Sequence, residues 1–147
     1  MTKPQAQNPD FQNAVRRFVS DMPIIELIGL QFQTIEPGEV DIVMPYRHEL
    51  SFAPGAYQAG AIGTIMDVAA SCAIATLLPA NWSTATVDYT VKVLAPARGS
   101  SFRAHGRAVS SGKTLSVGEA QVYAVHDGIS THCASGMVTT RNFPLER

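Results

Sequence analysis

Residues 60–80 read GAIGTIMDVAASCAIATLLPA, and the rest of the chain is organised around them. The stretch is too long for a strand and is apolar or small at nearly every position, so it predicts a helix buried on most sides. Asp67 is its only charge. An ionised carboxylate left unpaired in a low-dielectric interior costs several kcal/mol or takes up a proton. Asp67 is therefore a candidate for a hydrogen-bonded structural acid, meeting a Ser, Thr or Arg from elsewhere, or for a catalytic group. The length of the run would also suit a membrane span. A central Asp costs about 2.5–3.5 kcal/mol on insertion scales, however, and so many Ala, Gly, Ser and Thr residues do not offset it, so a core helix fits better.

Outward from this helix the pattern changes to period two. Downstream of Asn81, Val87, Tyr89, Val91 and Val93 alternate with Thr86, Asp88, Thr90 and Lys92, which predicts a half-buried strand. Two further strands, 100–109 and 115–125, flank a turn at Gly112-Lys113, and His126-Asp127-Gly128 turns the chain into another strand over 129–140. The phase of the 115–125 strand slips near Gly118-Glu119, which predicts a bulge or a strand buried on both faces. Upstream, two strands flank a Pro37-Gly38 turn, with Val40, Ile42 and Met44 on one face. Before them, Asp10 can cap a helix over Phe11 to Ser20; Met22-Pro23 breaks it, and IIELIGL leads into extended chain. Residues 47–57 read as irregular. A single helix that is apolar nearly all round needs a wrapper, and the antiparallel strands are the only candidate. The predicted fold is α+β, a curved antiparallel sheet around one central helix, with residues 1–10 a flexible N-terminus and 11–147 a single domain.

Composition narrows the function. With 147 residues, 46% of them hydrophobic, the chain suits one domain with a sizeable core. Eleven basic against twelve acidic residues give a net charge of -1, so there is no global electrostatic case for nucleic acid or an anionic membrane. Cys72 and Cys133 lack C-x-x-C spacing and read as reduced core thiols, and the N-terminus MTKPQAQNPD has no apolar targeting segment; both suit a cytoplasmic protein. His48, His105, His126 and His132 show no metal-site spacing, so no metal is expected. Ser71 and Cys72 sit outside any G-x-S-x-G elbow, which argues against a serine or cysteine hydrolase. A dehydratase pairing His48 with an acid is a minor reading.

The order of elements, with Gly55-x-x-Gln58-Ala59-Gly60 before the helix, Asp67 seven residues beyond that last glycine, and Thr86-Val87-Asp88 and Leu94-Ala95-Pro96-Ala97 after it, resembles the hotdog-fold acyl-CoA thioesterases of the phenylacetate-degradation (PaaI-like) group. The resemblance covers about residues 22–140. It implies a hotdog fold and hydrolysis of an acyl-CoA to a free acid and CoA, with no cofactor beyond the CoA of the substrate. The family's entry is usually His-Gly-Gly, where this chain has Gln58-Ala59-Gly60, and an Asn often found six residues before that His is Phe52 here. By the same resemblance the Gly60 N–H meets the thioester carbonyl, Asp67 is the catalytic acid, Gln58 supplies an amide, Thr86 helps to hold the attacking water, and Lys113 lies near the turn where CoA often binds.

The physics of the residues leads to a similar site. A helix N-terminus presents free N–H groups and partial positive charge, so the Gly60 amide suits a developing oxyanion, and Asp67 suits a nucleophile or a general base. Seven residues on one helix separate the two by about 10 Å, however, at ~1.5 Å per residue. A two-fold dimer places the Gly60 of one protomer opposite the Asp67 of the other, so a homodimer with sites at its interface is expected, or a homotetramer built from two such dimers. Tyr57, just before the entry, together with Thr64 and Ser71 on the small-residue helix face Gly60, Gly63, Thr64, Asp67, Ala70, Ser71, Ile74, is a candidate substrate contact. That face suits an entering acyl chain and ordinary close packing equally. Arg103, His105 and Arg107 share a strand face next to Lys113, and Arg107 and Lys113 are the candidate contacts for CoA phosphates. The alternative reading is a non-catalytic acyl-CoA-binding or regulatory hotdog protein.

Overall fold

The computed structural model describes residues 2–146, and among them lie three α-helices and eight strands. In chain order these are α1 (Phe11–Ser20), α2 (Pro23–Ile28), β1 (Gln31–Glu36), β2 (Glu39–Pro45), β3 (Ser51–Ala53), β4 (Ala56–Tyr57), α3 (Ala59–Ala75), β5 (Trp82–Val93), β6 (Ser101–Ser111), β7 (Leu115–His126) and β8 (Ile129–Pro144). Six of the strands form one antiparallel sheet in the order β1-β2-β6-β7-β8-β5, and α3 packs on it. This is the hotdog architecture. β3 and β4 form a separate small hairpin just ahead of α3.

Side-chain size along the sheet explains where the helix lies. Cross-strand register places Val40, Gly106, Ala120 and Gly136 in one row across β2, β6, β7 and β8. Three of these four are glycine or alanine, so the row is a groove. A Cβ on Gly106 would stand 2.1 Å from the Ala69 carbonyl oxygen, and one on Gly136 would stand 2.9 Å from the Met66 side chain. The helix backbone thus rests on the sheet at a distance only glycine allows. On either side of the groove, Ile42, Met44, Phe102 and Val122 are buried against Ile62, Ile65, Met66 and Ala69.

Several local expectations change. The central helix begins at Ala59 and ends at Ala75, short of Ala80. Thr76 ends it: its buried hydroxyl donates to the Ala73 carbonyl at 2.6 Å and accepts from the Gly38 N–H at 2.7 Å, tying the β1–β2 turn to the helix C-terminus. IIELIGL is not extended. Pro23 opens α2 at a position where proline's fixed φ is favourable, and Gly29 closes it with φ 68°. Asp10 precedes α1 but makes no backbone cap; its carboxylate instead accepts from Asn13 at 2.6 Å and Arg17 at 3.1 Å, which holds it below the usual Asp pKa. Near the N-terminus, the Gln7 side chain donates to the Leu77 carbonyl at 3.1 Å.

Two strand phases differ from the sequence reading for one reason. β7 keeps strict alternation, with Ser116, Gly118, Ala120, Val122 and Ala124 inward; the extra residues sit on its neighbours, at Val109 of β6 and Cys133 of β8. β5 carries an extra residue at Val87, since Thr86 pairs with Thr140 and Asp88 with Thr139. This bulge resets the alternation. Thr86 faces α3, and so do Tyr89 and Val91, which lie over Gly63. β5 is also more exposed than the half-buried strand expected, with Val87 58%, Tyr89 46% and Val93 51% accessible at a sheet edge.

Candidate active site

α3 carries the candidate residues in two groups. At its entry, the β3–β4 hairpin fixes the chain through Gln58 N–H to the Leu50 carbonyl and Tyr57 N–H to the Ala97 carbonyl, both at 3.0 Å. Tyr57 is 2% exposed and stacks on Phe102 at 4.1 Å between centroids. Its hydroxyl donates to the Pro45 carbonyl and accepts from the Arg47 N–H, so Tyr57 anchors the entry with its polar atom already engaged. Burial pushes the Tyr57 phenol above its usual range. Gln58 is the N-cap of α3, and its side-chain oxygen accepts the Gly60 N–H. The proposed oxyanion donor is therefore held by the neighbouring amide in the free chain. Thr64 donates to the Gly60 carbonyl at 2.9 Å, bracing the same turn. Beside the entry, Phe52, Ile62, Val93 and Ala97 line an apolar cavity of about 490 Å³.

The second group is two turns further on. Asp67 is half-buried rather than buried. Thr86, turned inward by the bulge, donates to Asp67 Oδ1 at 2.7 Å, and Ser71 reaches the same oxygen at 3.3 Å while lying 3.2 Å from Thr86 Oγ1. Among the described residues nothing donates to Oδ2. The carboxylate is thus oriented through one oxygen, and its side chain lines a cavity of about 220 Å³ together with Phe18, Val19, Met22 and Val68. Of the small-residue helix face, Ala70 and Ile74 pack against the sheet under Gly118, whereas Gly60, Thr64 and Asp67 stay accessible.

The basic candidates lie elsewhere. Arg107 alternates with inward-facing Gly106, so it points away from α3, where it pairs with Glu119 at 2.6 Å, and that pairing raises its pKa. Arg103 and His105 on the same face both meet Asp41, at 2.6 and 3.3 Å. Lys113 lies in the β6–β7 turn beside Leu77 and Trp82, next to the C-terminal end of α3 and not its entry. Among the described residues, no group of three or more His, Cys, Asp or Glu side chains is placed to hold a metal ion. No helix there is long and apolar enough to cross a membrane. Sequence reading missed Phe18, Val19 and Met22 as part of the site. Their signal is the amphipathic pattern of residues 11–20, which shows a buried face but not what that face covers.

The comparisons with known proteins agree with this fold. A family model described as the thioesterase superfamily matches residues 59–131, from the helix entry into β8. A thioesterase family protein from Silicibacter pomeroyi is 30% identical, with a TM-score of 0.88 over 91% of this chain and 98% of that one. The chain belongs to the thioesterase superfamily. A candidate esterase of Halobacterium salinarum is 29% identical over 118 residues, 77% of this chain and 78% of that protein. A thioesterase from Haemophilus influenzae shares the fold of this superfamily member, with a TM-score of 0.79 at 15% identity over 93% of this chain and 92% of that one.

Proposed function

We propose that the protein hydrolyses an acyl-CoA thioester to a carboxylic acid and CoA, at sites shared between two protomers. The observation that carries this reading is the state of Asp67: one carboxylate oxygen held by Thr86 and Ser71, the other without a donor among the described residues, in a side chain that lines a largely apolar cavity. Asp67 acts as nucleophile on the thioester carbon, breaking the C–S bond to release the CoA thiolate and leave a mixed anhydride that water hydrolyses, or as base on a water whose oxygen attacks that carbon. In the second route the proton passes to Asp67, the carbonyl oxygen becomes an oxyanion, the C–S bond breaks, and the leaving thiolate is reprotonated. The oxyanion sits on the Gly60 N–H of the partner protomer, because one helix cannot bring its own Gly60 to its own Asp67. For this the substrate carbonyl displaces the Gln58 oxygen from Gly60, and the Gln58 amide turns to offer its N–H₂ to the same carbonyl. The exposed apolar side chains along edge strand β5, Val87, Tyr89 and Val93, are where the second protomer pairs.

The hydrogen bond from the Gly60 N–H to Gln58 favours a second reading, an acyl-CoA-binding protein whose donor stays capped and which turns nothing over. One experiment separates the two. Thiol release is measured across short, medium, long and aromatic acyl-CoAs on wild type and Asp67→Asn, with calorimetric binding alongside. Turnover by wild type that is lost in a folded Asp67→Asn dimer supports hydrolysis, and binding without turnover selects the second reading.

A further inference from the structure

Part of the lining of the cavity at Asp67 comes from outside the matched family region. Phe18 and Val19 of α1 and Met22 of the α1–α2 junction line it, and all three precede residue 59. Val68 of α3 and Ala85 of β5 complete the wall. The polar side chains along it are already engaged: Thr84 donates to Asn142 at 2.8 Å, and Thr86 and Ser71 serve Asp67. A pantetheine arm has two amides to satisfy and would find a single unengaged acceptor there, the second Asp67 oxygen. An apolar group would lose nothing on entering. Asp67 is the only charged residue of the lining, so an acyl group ending in a second carboxylate would meet like charge in a confined space.

From these observations we infer that the acyl end of the substrate enters this cavity and stops against Phe18, Val19 and Met22, so that the N-terminal helix sets acyl length. The inference rests on the acyl-CoA reading above. The substrate class is a neutral, apolar acyl group of limited length. A cavity of about 150 Å³ lined by aliphatic and aromatic side chains holds a benzene ring. At about 220 Å³ this one holds a single ring, or a chain of roughly six to eight carbons.

Thiol release and calorimetric binding with butanoyl-, hexanoyl-, decanoyl- and glutaryl-CoA test the wall on wild type, Phe18→Ala, Met22→Ala and Val68→Phe, each checked for folding. In wild type, kcat/KM and affinity should favour hexanoyl over decanoyl by about tenfold or more, with glutaryl rejected. Either truncation, Phe18→Ala or Met22→Ala, should raise the decanoyl-to-hexanoyl ratio by about tenfold, and Val68→Phe should lower the hexanoyl-to-butanoyl ratio. Opposite shifts from opposite changes in volume are not expected of a merely structural residue. Ratios that stay fixed in folded variants overturn the wall, as does equal handling of decanoyl and hexanoyl by wild type. Length-dependent binding without turnover keeps the wall and removes the hydrolase reading, and absence of both binding and turnover with every acyl-CoA overturns both.

Discussion

At the scale of single residues, Asp67 owes its geometry to two hydroxyls that share one of its oxygens. Asp67→Asn keeps the shape and removes the base or nucleophile, so kcat should fall by about 10²–10⁴ while the melting temperature changes little. Thr86→Val removes the closer donor. A hydrogen bond to a charged group contributes about 1.5–3 kcal/mol, so a ten- to hundredfold loss of kcat is expected, read by steady-state kinetics. Cys72 is fully buried, and its burial, with Asp67 nearby, pushes the thiol far above the ordinary range. Cys133 is buried too, with its thiol donating to the Val122 carbonyl. Neither should react with a thiol reagent until the protein unfolds, so the native protein should give no background in a thiol-release assay, and titration in denaturant should find both.

At the scale of elements, the site depends on how α3 begins and on what it rests upon. Gln58 caps the helix with the oxygen that blocks Gly60. Gln58→Ala would free the donor at a cost of about 1 kcal/mol in helix capping. If the amide also orients the carbonyl, kcat should fall about tenfold although the donor is free; a rise in kcat would show that Gln58 only obstructs. The glycine row beneath the helix is less forgiving. Gly106→Ala would drive a methyl into the Ala69 carbonyl, and because that obstacle is backbone it cannot step aside. Overpacking of this kind costs about 1–3 kcal/mol or more, visible as a lower melting temperature at matched protein concentration. The bulge at Val87 is the third such device. It lets Thr86, before it, and Tyr89 and Val91, after it, share the face towards α3, which strict alternation forbids.

At the scale of the whole molecule, the chain presents half of each proposed site. Mixing two inactive variants tests this directly. Gly60→Pro removes the N–H, in the first helical turn where proline is tolerated, and Asp67→Asn removes the acid. Unfolded and refolded together in equal amounts, they should recover about a quarter of wild-type activity, because half the dimers are mixed and each mixed dimer has one intact site. No recovery, with mixed dimers demonstrated, would place both groups of a site in one chain.

The sequence by itself determined the class of the fold. Period-two runs around one long apolar helix leave few architectures, and a lone carboxylate in that helix marks the place to look. It also located the turns at Pro37-Gly38, Gly112-Lys113 and His126-Asp127-Gly128, where local chemistry suffices. What only the tertiary structure decided are the relations between distant segments. The side on which Thr86 faces turns on one extra residue in a pairing register, and alternation alone does not reveal a bulge. That Arg103, His105 and Arg107 are matched by Asp41 and Glu119 depends on residues 62 and 64 apart in one case and 12 in the other. The wall of the Asp67 cavity joins residues 18–22 to residues 67–86, a long-range contact that no local pattern encodes, because side chains meet there only after the sheet has curved around the helix.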